Sequence, residues 1–469
     1  MGIKSGLRSV LPPTTRNIEN RFACVDEEMG QLRCEAEAIR QRVEDQSASK
    51  RVEAAQETAL SILGEIRDRV SRLESAQDKP SYCNLEYLSL NREYNGRRIL
   101  LAGWYGASNC GDELMMRTML QHFEGMGVRV SVLLWDDPNY DFSRLPACAD
   151  QIHYPRSTWE LRQLAEYYDV LVWGGGAILD DGQFSHDPKN INTGNLVIWL
   201  SEEMLKRQKD VFAVGLSANE SIESNSEYAS RLSRVVQGCR HVSMRDEYSI
   251  DALKAAGVDV SAVVLCEDIV FGNRKIGAKA MRDSSSYTVG VVLMMGDVTI
   301  EHNRHVLPRI IDELRSRLGE GFTVRLIPFY NFWGFDTVLL KQLCEELGIS
   351  DCVEIAPYID DLGQNMLLSC DAVVAYRYHA CLVAAASEIP TLFMCVDDHP
   401  HYRNKMRHIA ELFGMSEGLL MASTCLDDGT FDERFAALLE GYLVPRVPDG
   451  LLANAERFLD EVCSSIVGP

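Results

Sequence analysis

The sequence lacks long apolar segments: no run of 18 uncharged apolar residues occurs, so no transmembrane helix is expected. Its first residues contain no apolar core of a signal peptide, and Gly6 stands where a myristoylation pattern requires Ser or Thr. None of the 14 cysteines forms a C-x-x-C pair, and several lie in apolar runs, where a thiol behaves as a small hydrophobe. These absences predict a soluble protein of the reducing cytoplasm.

Basic charge is also scarce. Lys and Arg number 47 against 69 Asp and Glu, which gives a formal net charge of −22 over 469 residues. The negative electrostatic field of this net charge repels nucleic acid, so DNA and RNA are not expected partners. A small anionic substrate would need Arg or Lys residues at its binding site. The composition, 46% hydrophobic and 25% charged, is that of a globular chain long enough for two or three domains.

Residues 1–95 differ from the rest in their periodicity. Apolar positions step by three and four from Ile18 to Val43, and again from Val52 to Leu73, out of phase across the gap at 44–50. This pattern fits either two helices packed on the body of the protein or a coiled coil. We expect a helical, coiled-coil-like segment that forms a homo-oligomer through residues 18–75.

From Arg97 onward, short apolar runs alternate with helical patterns, and the rhythm restarts after the polar segment 272–286. This alternation is typical of parallel sheets with helices on both faces. It predicts an α/β fold with two Rossmann-like domains facing a cleft, at 96–275 and 276–469, the second with closing helices. In such folds, ligands bind beyond the carboxyl ends of the strands.

Two glycine-containing loops follow predicted strands. In the first, residues 103–113, glycines and a helix start allow close approach of an anion, although Asp112 and Glu113 also fit a simple helix-initiating role. In the second, the predicted strand 169–173 ends in Gly174–Gly176, which let the backbone run close to a ligand or to the opposite domain. Neither loop has the pattern of a dinucleotide site or a P-loop.

Two further loops carry cations. Arg245 follows a predicted strand and fits either a surface ion pair or bidentate binding of a carboxylate or phosphate. Arg377 and His379 lie two residues apart between very apolar segments, which favours anion binding with acid–base chemistry over a structural histidine. The polar residues of 397–408 are predicted to form a cleft wall on a proline-broken loop, and no metal site is expected.

In this order the loops resemble the polysaccharide pyruvyl transferase family, over roughly residues 97–415. The motifs that carry the resemblance are G-W-Y-G-A-S-N-C-G-D-E, V-W-G-G-G-A-I-L-D-D, S-M-R-D-E-Y-S, C-E-D-I-V-F and R-Y-H-A-C-L-V-A-A-A-S-E-I-P. Cys110 and Tyr378 depart from the aliphatic residues more usual there. The resemblance implies a GT-B-like enzyme that places the enolpyruvyl group of phosphoenolpyruvate on two sugar hydroxyls as a pyruvate ketal.

Site residues follow from the resemblance. It implies donor binding by Arg245 and Arg377, with Lys405 adding to phosphate binding, and His379 as the acid. A carboxylate must deprotonate the acceptor, and Asp112 is the first choice, with Asp268 in reserve. Trp104 and Tyr105 are candidates for stacking on the sugar, although either also fits a core position. The remaining expected substrate-binding residues are Asn109, Gly174, Gly175 and Gly176.

The expected acceptor is a saccharide of a surface-polysaccharide precursor, with its lipid linkage left open. No cofactor is expected beyond phosphoenolpyruvate as donor substrate, and the enzyme is expected in the cytoplasm, free or peripheral at the inner face of the membrane. Two alternatives stay open from the sequence. A nucleotide-sugar glycosyltransferase would use the same architecture, and a non-catalytic scaffold would use the coiled-coil-like segment for its contacts.

Overall fold

The computed structural model describes residues 96–135, 145, 149–155, 157–180, 193–219, 221–222, 225–277, 286–295, 299–362, 366–396 and 400–468. The predicted coiled-coil-like segment at 1–95 lies outside these residues, as do Asp397, Asp398 and His399. Within the described ranges, no helix is both long and apolar enough to cross a membrane.

The first domain is built on a seven-stranded parallel sheet. Its strands are β1 (Arg98–Ala102), β2 (Arg129–Leu134), β3 (Ala149–His153), β4 (Val170–Leu179), β5 (Asp210–Ala218), β6 (His241–Met244) and β7 (Val263–Leu265). Its helices are α1 (Cys110–Phe123), α2 (Thr158–Tyr167), α3 (Thr193–Lys206), α4 (Ser226–Gly238) and α5 (Glu247–Ala255). The strand order is β3-β2-β1-β4-β5-β6-β7. The central strands are continuous apolar runs because helices bury both of their faces.

The second domain repeats this plan. Its strands are β8 (Tyr287–Val292), β9 (Phe322–Leu326), β10 (Val353–Ile355), β11 (Ala372–Ala375), β12 (Thr391–Cys395) and β13 (Leu419–Met421). Its helices are α6 (Ile300–Leu318), α7 (Phe335–Leu347), α8 (Tyr378–Ala386), α9 (Pro400–Leu412) and α10 (Thr430–Leu439), and the chain then forms α11 (Leu451–Val467). The order β10-β9-β8-β11-β12-β13 matches that of the first six strands of the first sheet. The predicted pair of Rossmann-like domains is confirmed.

Three local predictions differ from the structure. The strand predicted to stop at Trp173 continues through the three glycines, because the neighbouring strand β5 offers ladder partners as far as Ala218. The sequence pattern of 361–369 predicts a helix, but in the described residues this segment contains only a short 3-10 helix at Met366–Ser369. The predicted proline-broken loop is instead largely α9, since Pro400 stands at the helix start, where no backbone donor is needed.

The last helix, α11, packs on the first domain although the sequence assigns it to the second by its place in the chain. The His122 ring of α1 bonds Asp460 through Nδ1 at 2.7 Å, and the Arg97 guanidinium donates to the Val467 carbonyl at 3.1 Å. The division of the chain at residue 275 stays a prediction, although α11, at the end of the second part of the chain, contacts the first domain.

Backbone pairing joins the two domains beside the cleft. Asn109, after β1, forms an antiparallel bridge with Tyr330, after β9. The Cys110 N–H donates to the Phe329 carbonyl at 2.8 Å, and the Asn331 N–H donates to the Ser108 carbonyl at 2.8 Å. These bonds hold together two loops that leave the carboxyl ends of strands in different sheets, so the ligand-binding edges of both sheets meet.

Candidate active site

A cavity of about 250 Å³ lies where these edges meet. The first domain contributes residues that follow β1 and β6 and residues at the end of β4 and just after it, and the second contributes residues that follow β9, β11 and β12. The lining residues are Trp104, Asn109, Asp112, Ala177, Ile178, Asp180, Arg245, Phe329, Arg377, Tyr378, His379, Tyr402 and Lys405. The cavity therefore brings together, from both domains, most of the residues that the sequence singled out.

Asp112 lies in the first turn of α1 with its carboxylate in the cavity wall. The Asn109 side-chain amide donates to Asp112 Oδ2 at 2.6 Å. Burial raises the pKa of Asp112 to about 7, although the charges of Arg245 and Lys405 act to lower it. A carboxyl group with this pKa can both hold and release a proton near neutral pH.

The neighbouring Glu113 has a different role. Its side chain is fully buried, and its Oε1 accepts a hydrogen bond from the Gly106 N–H at 2.8 Å. Glu113 thus fixes the glycine-containing loop between β1 and α1. Of the two carboxylates at this helix start, only Asp112 lines the cavity.

Asp268 connects two of the predicted site residues. Its Oδ2 accepts a hydrogen bond from the Arg245 guanidinium at 3.0 Å and lies 3.4 Å from Nε2 of His379. Its Oδ1 accepts from the Val270 N–H at 3.0 Å. Burial acts to raise the pKa of Asp268, but His379 and Arg245 together lower it below its ordinary range. Asp268 is therefore a fixed anion that orients its neighbours, which disfavours its predicted reserve role as a base.

His379 is the second residue of helix α8 and packs against helix α1 of the other domain. A Cβ at position 111 would overlap Nδ1 of His379, so the imidazole lies directly on the glycine backbone of α1. Burial lowers the pKa of His379, and the charge of Asp268 offsets only part of this effect. Near neutral pH His379 is therefore a neutral imidazole, able to accept a proton.

Arg377 is held on the second domain by a buried carboxylate. Its guanidinium lies 3.5 Å from Asp336 Oδ1, while Oδ2 of Asp336 accepts the N–H groups of Phe329 and Tyr330 at 3.0 and 2.7 Å. The guanidinium also lies over the Tyr330 ring, 5.3 Å from its centroid. Asp336 thus ties the position of Arg377 to the loop that bridges the two domains.

Lys405 projects from α9 and is half-buried. Burial, followed by the charge of Arg245, lowers the pKa of Lys405 to about 7. Its Nζ lies 5.8 Å from the ring centroid of Tyr378 and 5.5 Å from that of Tyr402. The Arg245 guanidinium lies over the same Tyr378 ring at 4.7 Å. Tyr378, which stands where the family more often has an aliphatic residue, therefore contacts two cations of the cavity.

The structure does not bring every predicted residue to the cavity. Tyr105 is fully buried and its hydroxyl donates to the Gly174 carbonyl, so it is a core residue. Trp104, in contrast, lines the cavity, and the centroids of its ring and the Trp135 ring lie 4.8 Å apart. Gly174 is closely packed against Tyr105, and Gly175 against Met115 and Ile269 of the same domain. Gly176, at a φ of 96°, lies beside the Asp112 carboxylate.

Three residues with a part in the site were missed from the sequence: Asp180, Asp336 and Tyr402. Asp180 stands at the end of the V-W-G-G-G-A-I-L-D-D motif, directly after β4, and its place at a strand end was a usable signal. Asp336 and Tyr402 follow no recognisable pattern. Among the described residues, no group of three His, Cys, Asp or Glu is placed to hold a metal ion.

The family model described as polysaccharide pyruvyl transferase matches residues 109–397. No curated protein sequence matches the chain.

Solved structures with the same fold include the UDP-GlcNAc 2-epimerase of Methanocaldococcus jannaschii, with a TM-score of 0.52 and 12% identity over 78% of this chain and 99% of that one. The UDP-GlcNAc 2-epimerase of Neisseria meningitidis, bound to UDP-GlcNAc, has a TM-score of 0.50 and 11% identity, with the same coverage. At such identities the likeness concerns the GT-B-like fold alone.

Proposed function

Since the chain belongs to the polysaccharide pyruvyl transferase family, we propose that it transfers the enolpyruvyl group of phosphoenolpyruvate onto two hydroxyls of a saccharide, as a pyruvate ketal. One observation carries this proposal: a single cavity holds three cations, Arg245, Arg377 and Lys405, together with two groups suited to proton transfer, Asp112 and His379. The reaction requires both sets of groups.

The cations suit the donor. Phosphoenolpyruvate carries a carboxylate and a phosphate, and Arg245 and Arg377 approach the cavity from different domains. A guanidinium binds either group through two parallel hydrogen bonds. Binding between the two arginines would orient the enol carbon toward the proton-transfer groups.

The proposed reaction has two steps. First, an acid protonates C3 of the enol while one acceptor hydroxyl attacks C2, and a base takes the hydroxyl proton. In the second step the bond from C2 to the phosphate oxygen breaks, and the protonated base gives its proton to the departing phosphate. The second hydroxyl then attacks C2, and its proton returns to the first acid. Both groups regain their starting forms, and no oxidant or reductant is consumed.

The assignment of the acid and the base depends on which of the two residues, Asp112 or His379, carries the proton before the reaction. A protonated His379 with an ionised Asp112, as the family resemblance implies, and a neutral His379 with a protonated Asp112 contain the same number of protons. Burial lowers the pKa of His379 and raises that of Asp112 to about 7, so it favours the second form. We therefore assign the acid to Asp112 and the base to His379, with Asp268 positioning the imidazole.

The acceptor side is proposed on the first domain, where Trp104, Asn109 and Asp180 line the cavity. An indole ring and neutral or anionic hydrogen-bonding groups suit an uncharged sugar better than a second anion. The proposed acceptor is a precursor of a surface polysaccharide, in the cytoplasm or at the inner face of the membrane. Self-association through residues 18–75 stays a prediction.

A thermal-unfolding series tests the donor. Phosphoenolpyruvate at about a hundredfold excess over Kd is expected to stabilise the protein by about 2.7 kcal/mol, whereas pyruvate and UDP-glucose are not. The shift should be lost in Arg377→Ala and kept in Arg407→Ala, a matched change at an exposed position of α9. A shift with UDP-glucose instead would indicate the glycosyltransferase alternative, and no shift with any ligand would favour the scaffold.

A further inference from the structure

The three cations of the cavity are held in different ways. Arg245 lies 3.0 Å from Asp268 and 3.7 Å from Asp246, and Arg377 lies 3.5 Å from Asp336. Lys405 has no carboxylate within 4.0 Å among the residues that the structure describes, and two tyrosine rings are its neighbours instead. Each arginine is thus paired with a carboxylate, whereas the Lys405 amino group has aromatic rings as neighbours in place of one.

An aromatic ring attracts a cation through the negative potential of its face, but it carries no formal charge. A lysine positioned by rings can therefore bind an incoming anion with no carboxylate beside it to compete for the ammonium group. The Nζ of Lys405 lies within 6 Å of both ring centroids, the range of this interaction.

The sequence explains how the two rings reach the same ammonium group. Tyr402 precedes Lys405 by three residues on α9, so the two side chains share one face of that helix. Tyr378 is the first residue of α8 and stands next to His379. The ring of Tyr378 also lies under Arg245, at 4.7 Å, and this shared contact keeps two like charges close to the same part of the cavity.

We propose that Tyr378 and Tyr402 form an aromatic cradle that positions Lys405, without neutralising it, as the cation that binds the phosphate group of the donor. The inference rests on the proposed function and deepens it by assigning the donor phosphate to one side of the cavity. Tyr378 and Tyr402 are positioning residues here, since they act on the substrate through Lys405. Loss of the cradle weakens donor binding more than it slows the chemical step.

The test compares Tyr402→Leu and Tyr378→Leu with Tyr402→Phe and Tyr378→Phe, which keep the rings. We expect each Leu variant to raise the KM for phosphoenolpyruvate, and the calorimetric Kd for inorganic phosphate, by about three- to tenfold, with a smaller change in kcat. The Phe variants should restore most of the affinity. Tyr402 is 40% exposed, so its Leu variant keeps the test valid if Tyr378→Leu fails to fold.

A double-mutant cycle separates positioning from general damage. In a Lys405→Met background, Tyr402→Leu is expected to add little further loss, because the cradle then has no ammonium group to hold. Additive losses, or an unchanged Kd in both Leu variants, would overturn the cradle while leaving the proposed transfer intact. Phosphate binding that depends on the rings, without any ketal formation from phosphoenolpyruvate, would instead support the cradle and contradict the proposed function.

Discussion

The imidazole of His379 rests on the backbone of Gly111, so that a residue of the second domain is positioned by a helix of the first. Both residues lie in or beside the first turn of a helix that follows a central strand, β1 in one sheet and β11 in the other. The geometry of the candidate active site is therefore a property of the interface between the domains. A small change on either side of this contact should lower the rate of the proposed reaction.

Gly111→Ala is the smallest such change. The added Cβ would overlap Nδ1 of His379 and move the ring, while alanine itself favours the helix. We expect kcat to fall by about ten- to a hundredfold, with a loss of about 1–3 kcal/mol in unfolding free energy from the overpacking, too little to unfold the protein. Gly321→Ala is the control, since that glycine lies away from the cavity and its Cβ would meet only a carbonyl oxygen at 3.4 Å. Wild-type kcat in Gly111→Ala would show that the imidazole does not need this position.

Asp112→Asn should separate activity from stability. Because burial places the folded-state pKa of Asp112 at about 7, above its unfolded value, the folded protein binds the extra proton between about pH 4 and 7. Stability is therefore lost as the pH rises through this window, by up to about 4 kcal/mol above pH 7. The amide carries no charge and avoids this loss.

Urea unfolding at pH 5 and pH 8.5 measures the difference in unfolding free energy between Asp112→Asn and the wild type. We expect Asp112→Asn to be more stable than the wild type at pH 8.5, by an amount that narrows as the pH falls toward 4. Transfer activity should drop by about a hundredfold or more, because the amide cannot exchange a proton. A variant that is equally destabilised at both pH values would contradict the raised pKa.

A buried ion pair between the domains gives a third prediction. Arg117 of α1 lies 2.9 Å from Asp360, which follows β10, and both side chains are at most 10% exposed. Arg117→Met leaves the Asp360 carboxylate buried without this partner, so we expect a loss of about 3–5 kcal/mol in unfolding free energy. Lys254→Met breaks the exposed ion pair with Asp251 and should leave the unfolding free energy nearly unchanged. Equal stability of the two variants would show that the Arg117 pair does not tie the domains.

The parts of the site that could be predicted are those that the chain encodes locally. Arg377 and His379 stand out because two polar groups interrupt very apolar segments, and both line the cavity. Trp104 and Tyr105 show the limit of such reasoning, because adjacent aromatic residues in one loop point in different directions. Only packing decides that Trp104 faces the cavity and Tyr105 the core.

Elements whose state depends on a distant partner were also predicted less well. The three glycines after Trp173 have the composition of a loop, but β5 pairs with them and extends the strand to Leu179. Asp336 carries no local signal, since its role arises from a contact with Arg377, which lies elsewhere in the fold. Tyr402 carries none either, since its role arises from a contact with Lys405, one helical turn away.

The two-domain α/β architecture and the loops with candidate site residues can be predicted from the chain alone, because strand and helix periodicities and strand-end polar residues are local features. Which side chains share the cavity, and which of them are protonated, depends on contacts between segments far apart in the chain. Asp112 has the sequence context of a helix-initiating residue, and its raised pKa comes from burial at the meeting of the two domains. Electrostatic environment depends on distances across the fold, and no local pattern records them.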